Sequence, residues 1–211
     1  MVICVAGPIA AGKNFVCSIL EERGFFCLDA DQEIHKIIGD KQAEIFSRFS
    51  QIAASRGINL RAADGSLDRR ALGKLLFKDS ALLAEQEKIL YPEFVARVQA
   101  LIDANNNALQ AQEGGVTEIA GKPKTARGLA INAALLYKTP SLLRQCQKII
   151  YVDAPLLVRV WRIRRRDRLP LLQIIRRIKS QKGLFKEYER FAADYGIEMV
   201  RVWNWGKRLS F

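Results

Sequence analysis

Gly7-Pro8-Ile9-Ala10-Ala11-Gly12-Lys13 fills the first seven places of the pattern G-x-x-x-x-G-K-[ST]. That spacing suits a polyphosphate. The loop wraps backbone N–H groups around phosphate oxygens, a helix beginning at the lysine adds the positive end of its dipole, and the lysine reaches the β and γ phosphates. The string alone is weak evidence, but its surroundings agree with it. Val2 to Ala6 is an apolar, strand-like run ending at Gly7, and Lys13 to Glu22 places Val16, Ile19 and Leu20 on one helical face. A plain strand-to-helix turn is the competing reading. The eighth place, where the pattern has a hydroxyl for Mg²⁺, holds Asn14. A carboxamide oxygen is a neutral hard ligand that can meet Mg²⁺ directly or through water, yet its longer side chain must fit a space shaped for serine. The expectation is an intact phosphate cradle with an altered metal-holding rim.

Asp29 and Asp31 end the next apolar run, Phe25 to Leu28, where open α/β sheets place their ligand crevice. Two carboxylates two residues apart at a strand end would share a face. One could hold Mg²⁺ while the other takes the proton of an attacking hydroxyl; a solvated turn capping the following helix is the alternative. His35, the sole histidine, reads as a surface or packing residue before it reads as a catalyst. Arg159, Arg162, Arg164, Arg165, Arg166 and Arg168 cover more than one helical face, so some must turn toward whatever cleft their helix borders. Arginine captures phosphate bidentately and lends charge to phosphoryl-transfer transition states, although a basic face for nucleic acid has the same composition. Trp161, Trp203 and Trp205 could stack on bases; burial in the core is the commoner fate of tryptophan.

The elements that must position these groups follow from periodicity and punctuation. Strand, glycine turn, helix and second strand within the first thirty or so residues imply a parallel βαβ unit with a right-handed crossover. Helices are expected from Gln32 to about Ile38 and from Gln42 to about Ser55, and Ser66 is placed to cap a helix carrying Leu67, Leu72, Leu75 and Leu76. A helix from Ala81 toward Asn105 should break at Tyr91-Pro92, because proline is not tolerated in a helix interior. Residues 105 to 128, with three asparagines in a row and Gly114-Gly115, read as a surface loop or insertion. Strands are expected at Leu129 to Leu136 and Lys148 to Asp153. Basic helices then run to about Tyr195, and a last strand and turn occupies 197 to 206.

Composition bounds the function classes. A chain of 211 residues forms one well-cored unit with room for a small lobe, and its balance of hydrophobic and charged residues is that of an ordinary globular protein. A formal charge of +12 attracts anions, whether nucleic acid, acidic membrane or a phosphorylated small molecule. Cys4, Cys17, Cys27 and Cys146 lack C-x-x-C spacing and read as buried free thiols of a reducing cytoplasm. Neither a signal peptide nor a membrane span is legible, so a cytoplasmic location is expected.

Taken together, the residues resemble the dephospho-coenzyme A kinases of the P-loop nucleoside monophosphate kinase superfamily. The resemblance rests on Asp29-Ala30-Asp31 so soon after the phosphate loop, on "DGSLDRRALGKLLF" (64 to 77), on "LYP" (90 to 92), on "RIRRRD" (162 to 167) with Gln181 beyond it, and on the closing "WNWG". It implies a three-layer α/β P-loop fold with a parallel central sheet. The core would span 1–57, 129–158 and 188–211, with a small helical substrate lobe (about 58–105), a loop (106–128) and a helical lid (about 159–187). It further implies transfer of the ATP γ-phosphate, with Mg²⁺, to the ribose 3′-hydroxyl of dephospho-CoA. Gly7, Ala10, Ala11, Gly12, Lys13, Asn14 and Phe15 would hold ATP, with Arg166, Asn204 and Gly206. Asp31 would be the base, with Lys13 and Arg162 the other catalytic groups and Asn14 and Asp29 the metal ligands. Asp29, Asp31, Arg69, Arg70, Tyr91 and Gln181 would meet the acceptor. The partners implied are small molecules rather than nucleic acid or membrane. Five positions depart from the family pattern: Asn14 for the hydroxyl, Tyr91 for a histidine, Ala134 and Lys138 for a proline and an acid, and Leu184 for a basic residue. They leave a non-catalytic nucleotide- or CoA-binding homologue as the alternative function.

Overall fold

The structure, a computed structural model, describes residues 1–77, 79–112, 127–206 and 209–210, the side chains of 108–112 and 209–210 excepted. Five parallel strands form its centre: β1 (Val2–Ala6), β2 (Phe25–Asp29), β3 (Gly128–Asn132), β4 (Lys148–Asp153) and β5 (Glu198–Asn204). A two-residue strand, β6 (Leu209–Ser210), adds antiparallel to β5, and the sheet order is β2-β3-β1-β4-β5-β6. All five residues of β1 are buried, as a central parallel strand covered on both faces requires. Ile3 and Val5 pack with Val16, Cys17 and Leu20 of helix α1 (Lys13–Glu22). Cys4 points the other way, to Tyr188 of α9 (Leu184–Tyr195). Helices therefore cover both faces of the sheet.

From β1 the chain moves to β2 on one side, and from β4 it moves to β5 on the other. The carboxyl ends of β1 and β4 thus flank the switch point where α/β sheets open a crevice. The expected phosphate loop leaves β1 at that point.

The chain divides into two compact units, Met1–Ala30 with Gln99–Phe211, and Asp31–Val98. The second holds most of α2 (Ala30–Asp40), all of α3 (Gln42–Ser55) and α4 (Arg69–Leu76), and the first part of α5 (Ser80–Gln112). The remaining helices are α6 (Pro140–Leu143), α7 (Leu156–Asp167) and α8 (Leu171–Lys179).

Several expectations are corrected. Helix α5 does not break at Pro92, which lies inside it. A proline there loses one backbone hydrogen bond and crowds the preceding turn, at a cost of roughly 3 kcal/mol. Buried positions recur every fourth residue at Leu82, Gln86, Leu90, Phe94, Val98 and Ile102, and each large apolar side chain among them returns about 1.5–3 kcal/mol, so the stripe outweighs the proline. The same helix continues through Asn105, Asn106 and Asn107 to Gln112, where a loop was expected; residues 113–126 of that expected loop lie outside the described residues. Asp68, not Ser66, caps α4, its Oδ1 accepting from the amides of Arg70 (2.8 Å) and Ala71 (3.0 Å). Ser66 belongs to the preceding turn, donating to Asp64 through its amide and hydroxyl. β3 stops at Asn132, short of the expected Leu136, which lies in a 3₁₀ turn, Leu136–Lys138. The tryptophans are not core residues: Trp161 and Trp205 are exposed and Trp203 half-buried. The four cysteines are free, with Cys27 half-buried and the others buried.

Within the second unit, Arg97 joins α5 to α2, donating to Glu33 (3.1 Å) and Asp40 (2.7 Å) as well as to Glu93 (2.8 Å) of its own helix. Burial alone would raise the Glu33 carboxyl, but hydrogen bonds from Lys36 and Arg97 outweigh it and hold it below the ordinary glutamate value. A depressed folded-state pKa stabilises above the unfolded value, about 4.3, and that contribution is lost as pH falls through the folded value. Arg97→Met should therefore lower unfolding free energy at pH 7 by about 1–2 kcal/mol, with the gap to the unaltered chain closing below about pH 4; denaturant titrations across pH check this.

Candidate functional site

Three residues of the loop after β1 have left-handed or positive φ: Gly7 (143°), Ala10 (60°) and Gly12 (100°). At Gly7 a Cβ would overlap the Val152 carbonyl oxygen, and at Gly12 it would overlap the Asn204 Nδ2. Glycine is thus required twice, for conformation and for closeness. Ala10 has no such freedom, and a left-handed alanine costs roughly 1–2 kcal/mol, so something must hold it there.

The holding group is α7. Arg159 Nε donates to the Ile9 carbonyl (3.0 Å), and Arg162 Nη1 donates to the carbonyls of Ala10 and Ala11 (3.0 Å each). Arg162 Nη2 bonds the Asn204 Oδ1 (3.0 Å) and carbonyl oxygen (3.4 Å). Three consecutive loop carbonyls are thereby drawn toward one helix. In a trans peptide the C=O of one residue and the N–H of the next point in opposite directions, so the amides of Ala10, Ala11 and Gly12 point away from α7. The Ala11 amide closes a turn onto the Pro8 carbonyl (3.2 Å). Helix α1 begins at Lys13 with Gly12 as N-cap, a residue with no side chain to cap the first turn. Amides facing one way, continued by a helix N-terminus whose N-cap is a glycine, make a concavity for an anion.

Burial lowers the pKa of both arginines, opposed at Arg159 by the nearby Asp153 carboxylate. Asp153 is itself fixed by Arg201 at 2.6 Å. Lys13 and Gln181 also bond the loop. Lys13 Nζ folds back onto the Gly7 carbonyl (3.0 Å), and Gln181, in the turn between α8 and α9, accepts from the Ile9 amide (2.7 Å).

The expected site residues fall into three groups. Gly7, Ala10, Ala11, Gly12, Lys13, Asn204 and Gln181 meet at the loop, and the Gly206 amide donates to Asn204 Oδ1 (3.0 Å), tying the "WNWG" turn to it. Arg162 is also there, but beneath the loop, with four of the five guanidinium hydrogens committed to carbonyls and a carboxamide. The expected lid arginine is a loop-holding group instead. A second group lies at the rim: Asn14 and Phe15 are exposed, Asp29 is half-buried at the end of β2, and Arg166 is exposed against Asp167 (2.6 Å). The third belongs to the other compact unit. Asp31 is exposed in the first turn of α2, which starts at Ala30, so the period-two argument that it shares a strand face with Asp29 does not hold. Arg69 and Arg70 are exposed at the start of α4, Tyr91 donates to Glu87 (3.1 Å), and His35 is an exposed helical residue.

Two contributors escaped sequence reasoning. Arg159 was one arginine of a run; its signal was the i, i+3 spacing with Arg162. Asn132 ends the otherwise apolar "GLAIN" of β3, is buried, and donates through Nδ2 to Asn14 Oδ1 (2.9 Å).

The profile of the dephospho-CoA kinase family matches residues 1–198. The dephospho-CoA kinase of Treponema denticola is 34% identical over 204 residues, covering 97% of this chain and 83% of that protein. That of Treponema pallidum is 36% identical over 185 residues, covering 88% and 80%. Among solved structures, TT1252 from Thermus thermophilus superposes with a TM-score of 0.71 at 22% identity, over 98% of this chain and 90% of that one. A dephospho-CoA kinase from Campylobacter jejuni gives 0.54 at 21% identity, over 96% and 87%. These two likenesses concern the fold alone. With the family's profile matched from the first residue through β4, α7 and α9, and with its phosphate loop folded as described, this chain belongs to the dephospho-CoA kinase family.

Proposed function

We propose that this chain transfers the γ-phosphoryl group of ATP to the 3′-hydroxyl of the ribose of dephospho-CoA, producing CoA and ADP. Membership of the family makes it a phosphotransferase, and the observation that carries the mechanism is the set of loop carbonyls held by Arg159 and Arg162. With those carbonyls turned away, the Gly12 amide and the first turn of α1 meet the phosphates, and Lys13 exchanges the Gly7 carbonyl for a phosphate oxygen. Nothing observed favours a non-catalytic homologue.

In the transfer, the ribose 3′-oxygen forms a bond to the γ-phosphorus, the bond from that phosphorus to the bridging oxygen breaks, and ADP leaves. Asp31 receives the hydroxyl proton as general base. Arg162 positions the loop, while the exposed Arg166 turns from Asp167 to phosphate. Asn204 and Gly206 lie at the adenine side, and Arg69, Arg70 and Tyr91, in the Asp31–Val98 unit, meet the acceptor.

Among the described residues no three acidic, histidine or cysteine side chains converge on a metal position. That suits Mg²⁺ arriving on the nucleotide, since Mg²⁺ is held mostly by water and phosphate with one or two protein oxygens. The exposed Asn14 carboxamide and half-buried Asp29 carboxylate are hard oxygen donors fit to supply these. When bound, the ion neutralises charge on the β and γ phosphates. Among the described residues no helix is long and apolar enough to cross a membrane, and the cytoplasm is the compartment this reading implies.

Mixing purified protein with Mg-ATP and dephospho-CoA should yield ADP and CoA in equal amounts; absence of CoA from the unaltered chain would overturn the assignment. Lys13→Ala should cut kcat by about 10²–10³ or more. Asp31→Asn should lower kcat by about 10²–10⁴ with an unchanged melting temperature, and an unaffected kcat would remove Asp31 as the base.

A further inference from the structure

We infer that Asn132 is a positioning residue that turns the oxygen of Asn14 toward the cation carried by the nucleotide. The inference rests on the phosphate-binding reading of the loop. β3 is buried along its whole length, and its last position, flanked by Val5 of β1 and Asp29 of β2, carries a carboxamide only 7% exposed. An apolar side chain would fill that place without a polar cost. Instead Nδ2 donates to Asn14 Oδ1 at 2.9 Å, while the Asn132 Oδ1 is buried and finds no hydrogen-bond partner among the described residues. A side chain kept for packing or strand pairing would not leave a buried acceptor unmet. The geometry gives its donor one evident task, at residue 14.

That task follows from what an asparagine does in the place of a hydroxyl. A serine or threonine oxygen faces a cation whatever the rotation of its hydrogen. A carboxamide presents either its oxygen or its NH₂ according to the last side-chain torsion, and only the oxygen suits a cation. The Asn132 NH₂ admits Asn14 oxygen-first and would oppose the NH₂ end. A carbonyl oxygen has two lone pairs, so one remains for Mg²⁺ or a water upon it. Asn14 and Asn132 therefore act as a pair replacing one hydroxyl.

The test is a double-mutant cycle on the full chain with two binding readouts. Mn²⁺ is titrated into protein with a non-hydrolysable ATP analogue and followed by its free-ion electron paramagnetic resonance signal. Binding of the same analogue in EDTA is followed by calorimetry. Asn132→Val should weaken Mn²⁺ binding about tenfold or more, with analogue binding in EDTA within about twofold of the unaltered chain and no coupling expected where residue 14 is a hydroxyl. In an Asn14→Ser background the Asn132 substitution should change neither readout. Asn132→Ala serves the same purpose if the valine variant fails to fold. Equal weakening with and without cation, or an undiminished effect in the Asn14→Ser background, overturns the pairing alone. If the unaltered chain binds no analogue in either condition, the phosphate-loop reading fails and takes the pairing with it.

Discussion

The structure depends on how a half-buried helix face holds three backbone carbonyls. Arg159 and Arg162, one turn apart on α7, take hold of Ile9, Ala10 and Ala11 from below. Because peptide C=O and N–H groups oppose one another, fixing the carbonyls fixes the amides. A loop left to itself would bring its oxygens as readily as its nitrogens to an anion. Charge-assisted hydrogen bonds are roughly twice as strong as neutral ones, and together they offset the left-handed alanine at the loop's centre. The sheet supplies the rest. β4 brings Val152 against Gly7 and β5 brings Asn204 against Gly12.

The phosphate loop, the βαβ beginning, β4 and the helices flanking it were legible in the sequence because each rests on local signals: glycine spacing, apolar periodicity, proline and glycine punctuation. What was not legible depended on distant partners. Whether Arg162 faces phosphate or peptide is decided by the loop's carbonyls, over a hundred residues away in sequence. Asn132 carries no local signal beyond being polar at a strand's end. Pro92 misled because its cost is local while the apolar stripe that offsets it runs nearly the whole helix. Asp31 misled in the opposite way: Ala30, a strong helix former, starts α2 one residue earlier than a strand-end reading of Asp29-Ala30-Asp31 allows.

The departures from the family pattern are accommodated rather than left as gaps. Ala134 lacks the ring that would stiffen the segment after β3, yet the fully buried Tyr188 hydroxyl accepts from the Leu136 amide (2.9 Å) and reaches the Ala134 carbonyl (3.2 Å). Leu184 stands where a basic residue was expected, and it is a buried residue of α9. Lys138 is exposed at the end of the 3₁₀ turn. Tyr91 joins Glu87 on its own helix. Only Asn14 alters the phosphate loop itself, and there a second asparagine stands beside it.

A crystal structure with a non-hydrolysable ATP analogue tests the central claim most directly. The account predicts the Gly12, Lys13 and Asn14 amides on the β-phosphate, with the Arg162 guanidinium still on the Ala10 and Ala11 carbonyls. An Arg162 that has left those carbonyls to bind phosphate, with the loop unchanged, would contradict it.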